Sequence, residues 1–200
     1  MNLFRLRMRV LIPLLLAVMI LLASFAFIFY EFRQDNIVKD VMSKVKSVQG
    51  LLALQLDNEA GMIGATLAVM IRNEELKAAL KAKDRHALLK KTEMLYHQLH
   101  SQYQITHFYF SGPDRVNILR VHQPDRYGDK IDRITTLMAE KTGKLSYGIE
   151  LGPLGTFTLR VVVPWYDREQ LLGYVELGEE IEHITQKIRG ILGVEIFIVI

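Results

Sequence analysis

The sequence predicts an α+β protein made of an N-terminal transmembrane helix, a long helical stem and an antiparallel sheet of about five strands with flanking helices. Three observations carry that expectation. Val10 to Tyr30 is an uncharged run of twenty-one residues. From Glu31 to about Lys83, apolar residues recur at three- and four-residue steps. Beyond Ile105 the period falls to two, the spacing at which strand side chains return to one face.

At 1.5 Å per residue the uncharged run reaches about 30 Å, the thickness of a bilayer's hydrocarbon core. Arg5, Arg7 and Arg9 precede it with no acid, whereas Glu31, Arg33 and Asp35 follow with mixed sign. The basic side is retained in the cytoplasm, so residues 1–9 form a cytoplasmic tail, 10–30 the span, and residues from 31 onward face the other compartment. A cleaved signal peptide is the rival reading, because Ala23-Ser24-Phe25-Ala26 offers small residues near a cut. The run outlasts a signal h-region and continues through Phe27, Phe29 and Tyr30, which favours an uncleaved anchor. Pro13 is expected in the first turn, where its missing N–H costs little.

Basic residues number 25 and acidic residues 22, and the three arginines before the anchor account for the whole excess. The rest of the chain is balanced, so the basic pI is a topology signal, and nucleic acid is discarded as a partner. With no cysteine, thiolate chemistry and attached haem are excluded, and the external part is held by its core alone.

In the stem, residues 31–104, Val41, Val45, Val48, Leu52, Leu56, Ile63, Leu67 and Met70 form one apolar stripe, while Lys39, Lys44, Lys46, Gln49 and Asn58 lie opposite. Gly61 and Gly64 are expected to bend or interrupt this helix. A second helix starts at an Asp84 N-cap and runs through Leu88, Leu89, Leu95 and Leu99 to about Ser101. Residues 105–192 form the sheet module. Ile105 to Ser111 and Val116 to His122 make a hairpin around Gly112-Pro113-Asp114. A short helix, Asp132 to Lys141, ends at Gly143. Strands follow at Ser146–Leu151, Thr156–Trp165 and Leu171–Leu177, then a helix from Glu179 to Gly190. Residues 193–200 read as the start of a further strand or module, which suggests a truncated chain.

This order of elements is a PAS-like layout. His107-Phe108-Tyr109, Leu119-Arg120-Val121-His122, Pro124, Tyr127-Gly128-Asp129, Gly148-Ile149-Glu150, Gly155, Leu159-Arg160, Pro164, Gly173 and Glu176 resemble the motif string of a double-Cache type sensory domain. The resemblance is strongest from about His107 to Glu180. It implies an extracytoplasmic input domain of a bacterial sensor kinase, chemoreceptor or diguanylate cyclase, with one or two PAS-like modules and a cytoplasmic output.

Arg120 and His122 lie two apart on a strand and so share a face, where a guanidinium beside an imidazole can hold a carboxylate. The competing role for Arg120 is an ion pair with Asp129 or Glu150. Tyr109, Arg160 and Tyr174 are expected as further walls of a small-molecule site, with Trp165 assigned to the core. Tyr127, Gly128 and Asp129 read as a rigid turn, and Glu150 as a structural partner. The glycines of Gly148-Ile149-Glu150-Leu151-Gly152 lack the lysine and helix start of a phosphate loop and are read as permitting tight strand connections. Glu93, His97 and His100 match metal-ligand spacing on one helix face, but without a further ligand a solvated face is the default.

No catalytic motif is present, and no cofactor is expected. The leading expectation is therefore a non-enzymatic, membrane-anchored sensor of a small ligand, such as an organic acid, working as a homodimer in the bacterial inner membrane. The alternatives are a protein-interaction platform with no small ligand and a tethered hydrolase or metal-dependent enzyme using His97, His100 or His122.

Overall fold

The computed structural model describes residues 3–152, 155–193 and 195. Its first helix, α1 (Leu3–Met70), is one continuous element in residues rich in Leu, Met and Arg, which favour helix. Pro13 therefore lies inside the helix and not in its first turn, because the arginine-bearing residues before it are already helical. Among the described residues α1 is the one helix long and apolar enough to cross a membrane. Gly61 and Gly64 do not interrupt it.

Contacts separate residues 1–50 from 51–200, and the second unit holds the sheet and all remaining helices. The apolar stripe suggests one helix to about Lys83, but α1 stops at Met70. Asn73 breaks the run by accepting from the N–H groups of Glu75 and Leu76, which starts α2 (Glu74–Lys81). Leu76 and Leu80 resume a four-residue step beyond the break, so the segment still has helical spacing although its phase has shifted. Asp84 caps α3 (Arg85–Tyr103) by accepting from Ala87 N–H, and Gln104 closes it in the left-handed region.

Five strands follow: β1 (Ile105–Ser111), β2 (Asn117–Arg120), β3 (Ser146–Leu151), β4 (Phe157–Asp167) and β5 (Gln170–Glu180). α4 (Ile134–Thr142) precedes β3 and ends at Gly143, whose φ of 64° suits glycine. The order across the sheet is β2-β1-β5-β4-β3, antiparallel throughout, so the last strand in sequence is central. β5 runs three residues further than expected, since Gly178, Glu179 and Glu180 pair with β4, and α5 (Glu182–Leu192) begins later. The strand or module expected at 193–200 falls almost entirely outside the described residues, as do Pro153 and Leu154 of the β3–β4 turn.

Register assigns the two faces. Phe108, Leu177 and Val161 stand opposite one another, as do Phe110, Val175 and Val163, and all six are buried. Trp165, 1% exposed, lies on this face with Leu159, as the alternation implies. Leu177 and Ile105 share a cleft with Ile63 of α1 and Leu99 of α3, which makes this the helix-covered side. The opposite face carries His107, Tyr109, Glu176, Arg160 and Val162. α4 covers part of it, where Ala139 packs on Val162 and Tyr174. One side of the sheet is therefore ordinary apolar core, and the other buries charge.

Candidate functional site: an arginine cluster around Tyr109

Glu176 stands in the middle of the charged face and is only 4% exposed. Two guanidinium groups hold it. Arg133, the residue before α4, donates through Nη2 to both carboxylate oxygens at 2.9 and 2.7 Å, and Arg160 Nη1 donates to Oε1 at 2.5 Å. Burial alone would raise the Glu176 pKa, but the two cations override it and hold the carboxyl below its ordinary range. Arg160 is itself 1% exposed, with Gly178 of β5 and Gly148 of β3 as its partners in register. Gly148 thus sits within a strand, beside the cluster, and does not serve a strand connection. A Cβ at Gly178 would stand 3.1 Å from the Thr158 methyl and 3.4 Å from His107 Cβ, and one at Gly148 would stand 3.5 Å from the Thr135 methyl.

Glu150 completes the set. Its Oε1 accepts from the Thr135 N–H at 2.8 Å and from Thr135 Oγ1 at 2.9 Å. It thereby supplies α4 with the cap that Arg133, at the N-cap position, does not. Glu150 Oε2 lies 3.6 Å from Arg133 Nε and 3.7 Å from Arg160 Nε, beyond hydrogen-bonding reach. Both Nε–H groups and Oε2 are buried without a hydrogen-bond partner. The cluster therefore holds two buried N–H donors that face Glu150 at ion-pair distance without making a hydrogen bond.

Tyr109 is the hub. The guanidinium carbons of Arg133, Arg120 and Arg160 lie 4.7, 5.3 and 5.7 Å from its ring centroid. Arg120 donates in a fork to Asp129, 2.7 Å to each oxygen, and to the Arg126 carbonyl at 2.8 Å. The hydrogen bonds from Arg120 lower the Asp129 pKa. The Tyr127–Asp129 loop is fastened along β2, with Gly128 N–H donating to the Asn117 carbonyl and Asn117 N–H to the Asp129 carbonyl. Gly128 has a φ of 87°, and Arg85 stacks on the Tyr127 ring at 3.6 Å.

The two imidazoles close one side. His107 stacks on Tyr109 at 6.1 Å, and His122 meets Tyr109 edge-on at 4.9 Å and His107 at 5.0 Å. His122 Nδ1 lies against the Phe108 peptide, 3.1 Å from its nitrogen and 3.3 Å from its oxygen. Burial, reinforced by the Arg160 charge, pushes His107 down to about 3; burial, with Arg120 adding, pushes His122 down to about 4. Both rings are neutral at pH 7 and present no further charge to the site.

These two histidines bind fewer protons in the folded state than in the unfolded chain, so their contribution to stability is full above about pH 6.5 and lost as the pH falls through 4 and 3. Replacing both by Gln should lessen the loss of stability as the pH falls from about 6.5 to about 5. The difference is expected to be roughly 1–2 kcal/mol per ring at pH 5. Urea unfolding followed through the single buried Trp165 measures it.

Of the residues expected in a site, Arg120, His122, Tyr109 and Arg160 converge. Tyr174 shares their face but packs under α4 with Ala139 and Val162. Arg133, Glu176 and His107 belong to the cluster and were not among the expected ligand contacts. His100 Nδ1 lies 3.0 Å from the Ile105 carbonyl oxygen and its ring stacks on Tyr96. Among the described residues no group of three His, Cys, Asp or Glu is arranged to hold a metal, Glu93 and His97 included.

The model of a family described as the double sensory domain of two-component sensor kinases matches residues 45–200. The chain belongs to this double-Cache family. Its members are ligand-binding input domains and not catalysts, and the match begins within α1. No curated protein matches the sequence. Among solved structures, the E. coli DcuS sensor domain is similar at 20% identity and a TM-score of 0.56, over 67% of this chain and 97% of that one. A domain assigned to the sensory box/GGDEF family from Vibrio parahaemolyticus is similar at 17% identity and a TM-score of 0.56, over 78% of this chain and 64% of that one. The sensor domain of the V. cholerae histidine kinase DctB is similar at 22% identity and a TM-score of 0.52, over 70% of this chain and 60% of that one. This Cache chain thus spans less than two thirds of the length of two of these three structures, and at such identities they show its fold.

Proposed function

We propose that this Cache domain is the input unit of a bacterial transmembrane receptor, anchored in the cytoplasmic membrane by the start of α1, with residues 31 onward outside the cytoplasm. Its signal is a small carboxylate-bearing metabolite bound on the arginine-rich face. The observation that carries this reading is the convergence of Arg133 and Arg160 on Tyr109 with both Nε–H groups unused. A carboxylate takes two parallel N–H donors from one guanidinium, and aromatic and imidazole rings supply walls for the rest of a small ligand.

In this reading the ligand competes with Glu176 and Glu150 for the two arginines. Arg133 precedes α4 and Glu150 caps it, so any redistribution of these contacts bears on how α4 lies over the sheet. A ligand that favours one arrangement over another shifts the population between them. α1, whose last turns line the same folded unit, carries that shift toward the membrane, where a second copy gives it something to move against. A homodimer is therefore part of the proposal.

The test is a thermal-shift screen of the full chain in nanodiscs against organic acids and amino acids, followed by titration calorimetry. Arg160→Lys and Arg133→Lys keep the charge and lose the fork, so each should weaken the hit at least tenfold. A ligand bound equally well by folded forms of both variants would remove this face from the site.

A further inference from the structure

A cleft lies on the helix-covered side of the sheet, where α1, α3, β1 and β5 meet. Its volume is about 300 Å³, and Met62, Ile63, Leu99 and Leu177 give it apolar walls. Two carboxyl groups also line it, Glu59 on α1 and Glu179 on β5. Glu179 follows Val175 and Leu177 on the face that otherwise holds the hydrophobic core, and it is only 2% exposed. Its Oε1 is buried with no hydrogen-bond partner, and its Oε2 is 3.9 Å from His183 Nε2. Glu59 Oε1 accepts from Gln55 at 2.7 Å.

An acid placed on a core face without a donor is costly, and no lysine or arginine lines the cleft to offset it. Burial, with Glu59 adding, pushes the Glu179 carboxyl up to about 8. The missing partner is a cation with N–H donors and an apolar remainder. Two neighbouring carboxyl groups reject an anion, and an ammonium ion favours loss of the Glu179 proton to solvent and pairs with the resulting carboxylate, which a neutral alcohol does not. The volume is at the small end for ligand pockets, which limits the tail to a few carbons.

We propose that this cleft is a second binding site, taking a small primary ammonium ion with a short hydrocarbon tail. The nitrogen sits between Glu179 and Glu59, and the tail lies against Met62, Ile63, Leu99 and Leu177. This site is on the opposite face from the arginine cluster and does not depend on what binds there.

The probe is n-butylammonium, titrated into the full chain in detergent micelles carrying 13C-methyl methionine. The Met62 methyl should shift saturably, while Met138 of α4 on the other face stays unmoved, and n-butanol and butyrate should have no comparable effect. Glu179→Gln should weaken binding at least tenfold and Glu59→Gln severalfold. An unmoved Met62 overturns the proposal. So does an equal response to n-butanol, or unchanged affinity in Glu179→Gln with native Trp165 fluorescence. If Glu179→Gln does not fold, Glu59→Gln on the half-buried helix face decides, and unchanged affinity there counts against the site.

Discussion

Replacing Glu176 with Ala is expected to destabilise the sensor unit by about 3–5 kcal/mol, because it leaves the Arg133 and Arg160 guanidinium groups buried without their shared partner. Glu176→Gln keeps an acceptor and loses the charge, so it should cost roughly half as much. Neither figure measures the strength of the cluster, since burying three charges is itself expensive. The double variant Glu176→Leu with Arg160→Met should accordingly be more stable than the two single losses added together. Added acetate should raise the melting temperature of Glu176→Ala more than that of the parent, because a free carboxylate can enter the place vacated between the arginines. Equal responses to acetate would show that the vacated position is closed to external anions.

Gly173→Ala is expected to be about as damaging, for a reason rooted in the backbone. Gly173 has a φ of 153°, and a Cβ there would stand 2.0 Å from the Ser111 carbonyl oxygen. That oxygen belongs to β1, paired with β5, so relief requires separating two central strands. A loss of about 3–5 kcal/mol follows, or failure to fold. Gly61 supplies the contrast: a Cβ there meets nothing within 4 Å inside a continuous helix. Gly61→Ala should stabilise the unit by about 1 kcal/mol. Urea denaturation of both variants, read through Trp165, separates the two effects.

The main features of this fold were legible because its strands alternate cleanly. Leu159, Val161 and Val163 against Arg160 and Val162 separated the faces, and Asp84, Gly143 and the Gly112-Pro113-Asp114 turn marked real boundaries. The misplaced boundaries have specific causes. Asn73 separates two runs of helical spacing, Ile63-Leu67-Met70 and Leu76-Leu80, so a cap between them reads as a solvated helix residue. Gly178-Glu179-Glu180 carries the composition of a helix start, yet its pairing with β4 extends β5.

The candidate site was legible only in part. Arg120, Tyr109 and Arg160 are legible because they occupy strands whose alternation puts them on definable faces, whereas His122, expected on β2, lies in the turn after Arg120 and reaches the cluster from there. Arg120 turned out to be tied to Asp129, one of the two partners weighed for it. Arg133 was missed because it precedes a short helix, where no strand period locates it, and its 2.7 Å contact with Glu176 spans 43 positions in sequence. Glu176 was visible only as part of the family resemblance. Glu179 offered a signal that alternation could have caught, since it falls in phase with Val175 and Leu177 on the apolar face.

The central claim is that Arg133 and Arg160 hold the carboxylate of an external ligand through donors now unused. Nitrogen-15 labelling of arginine side chains in the full chain in nanodiscs resolves individual Nε–H groups and reads those donors directly. With a saturating ligand from the screen, the Arg133 and Arg160 Nε–H resonances should move downfield and exchange more slowly with water, while exposed Arg168 stays unchanged. A ligand that saturates the protein and leaves both resonances in place would contradict the account.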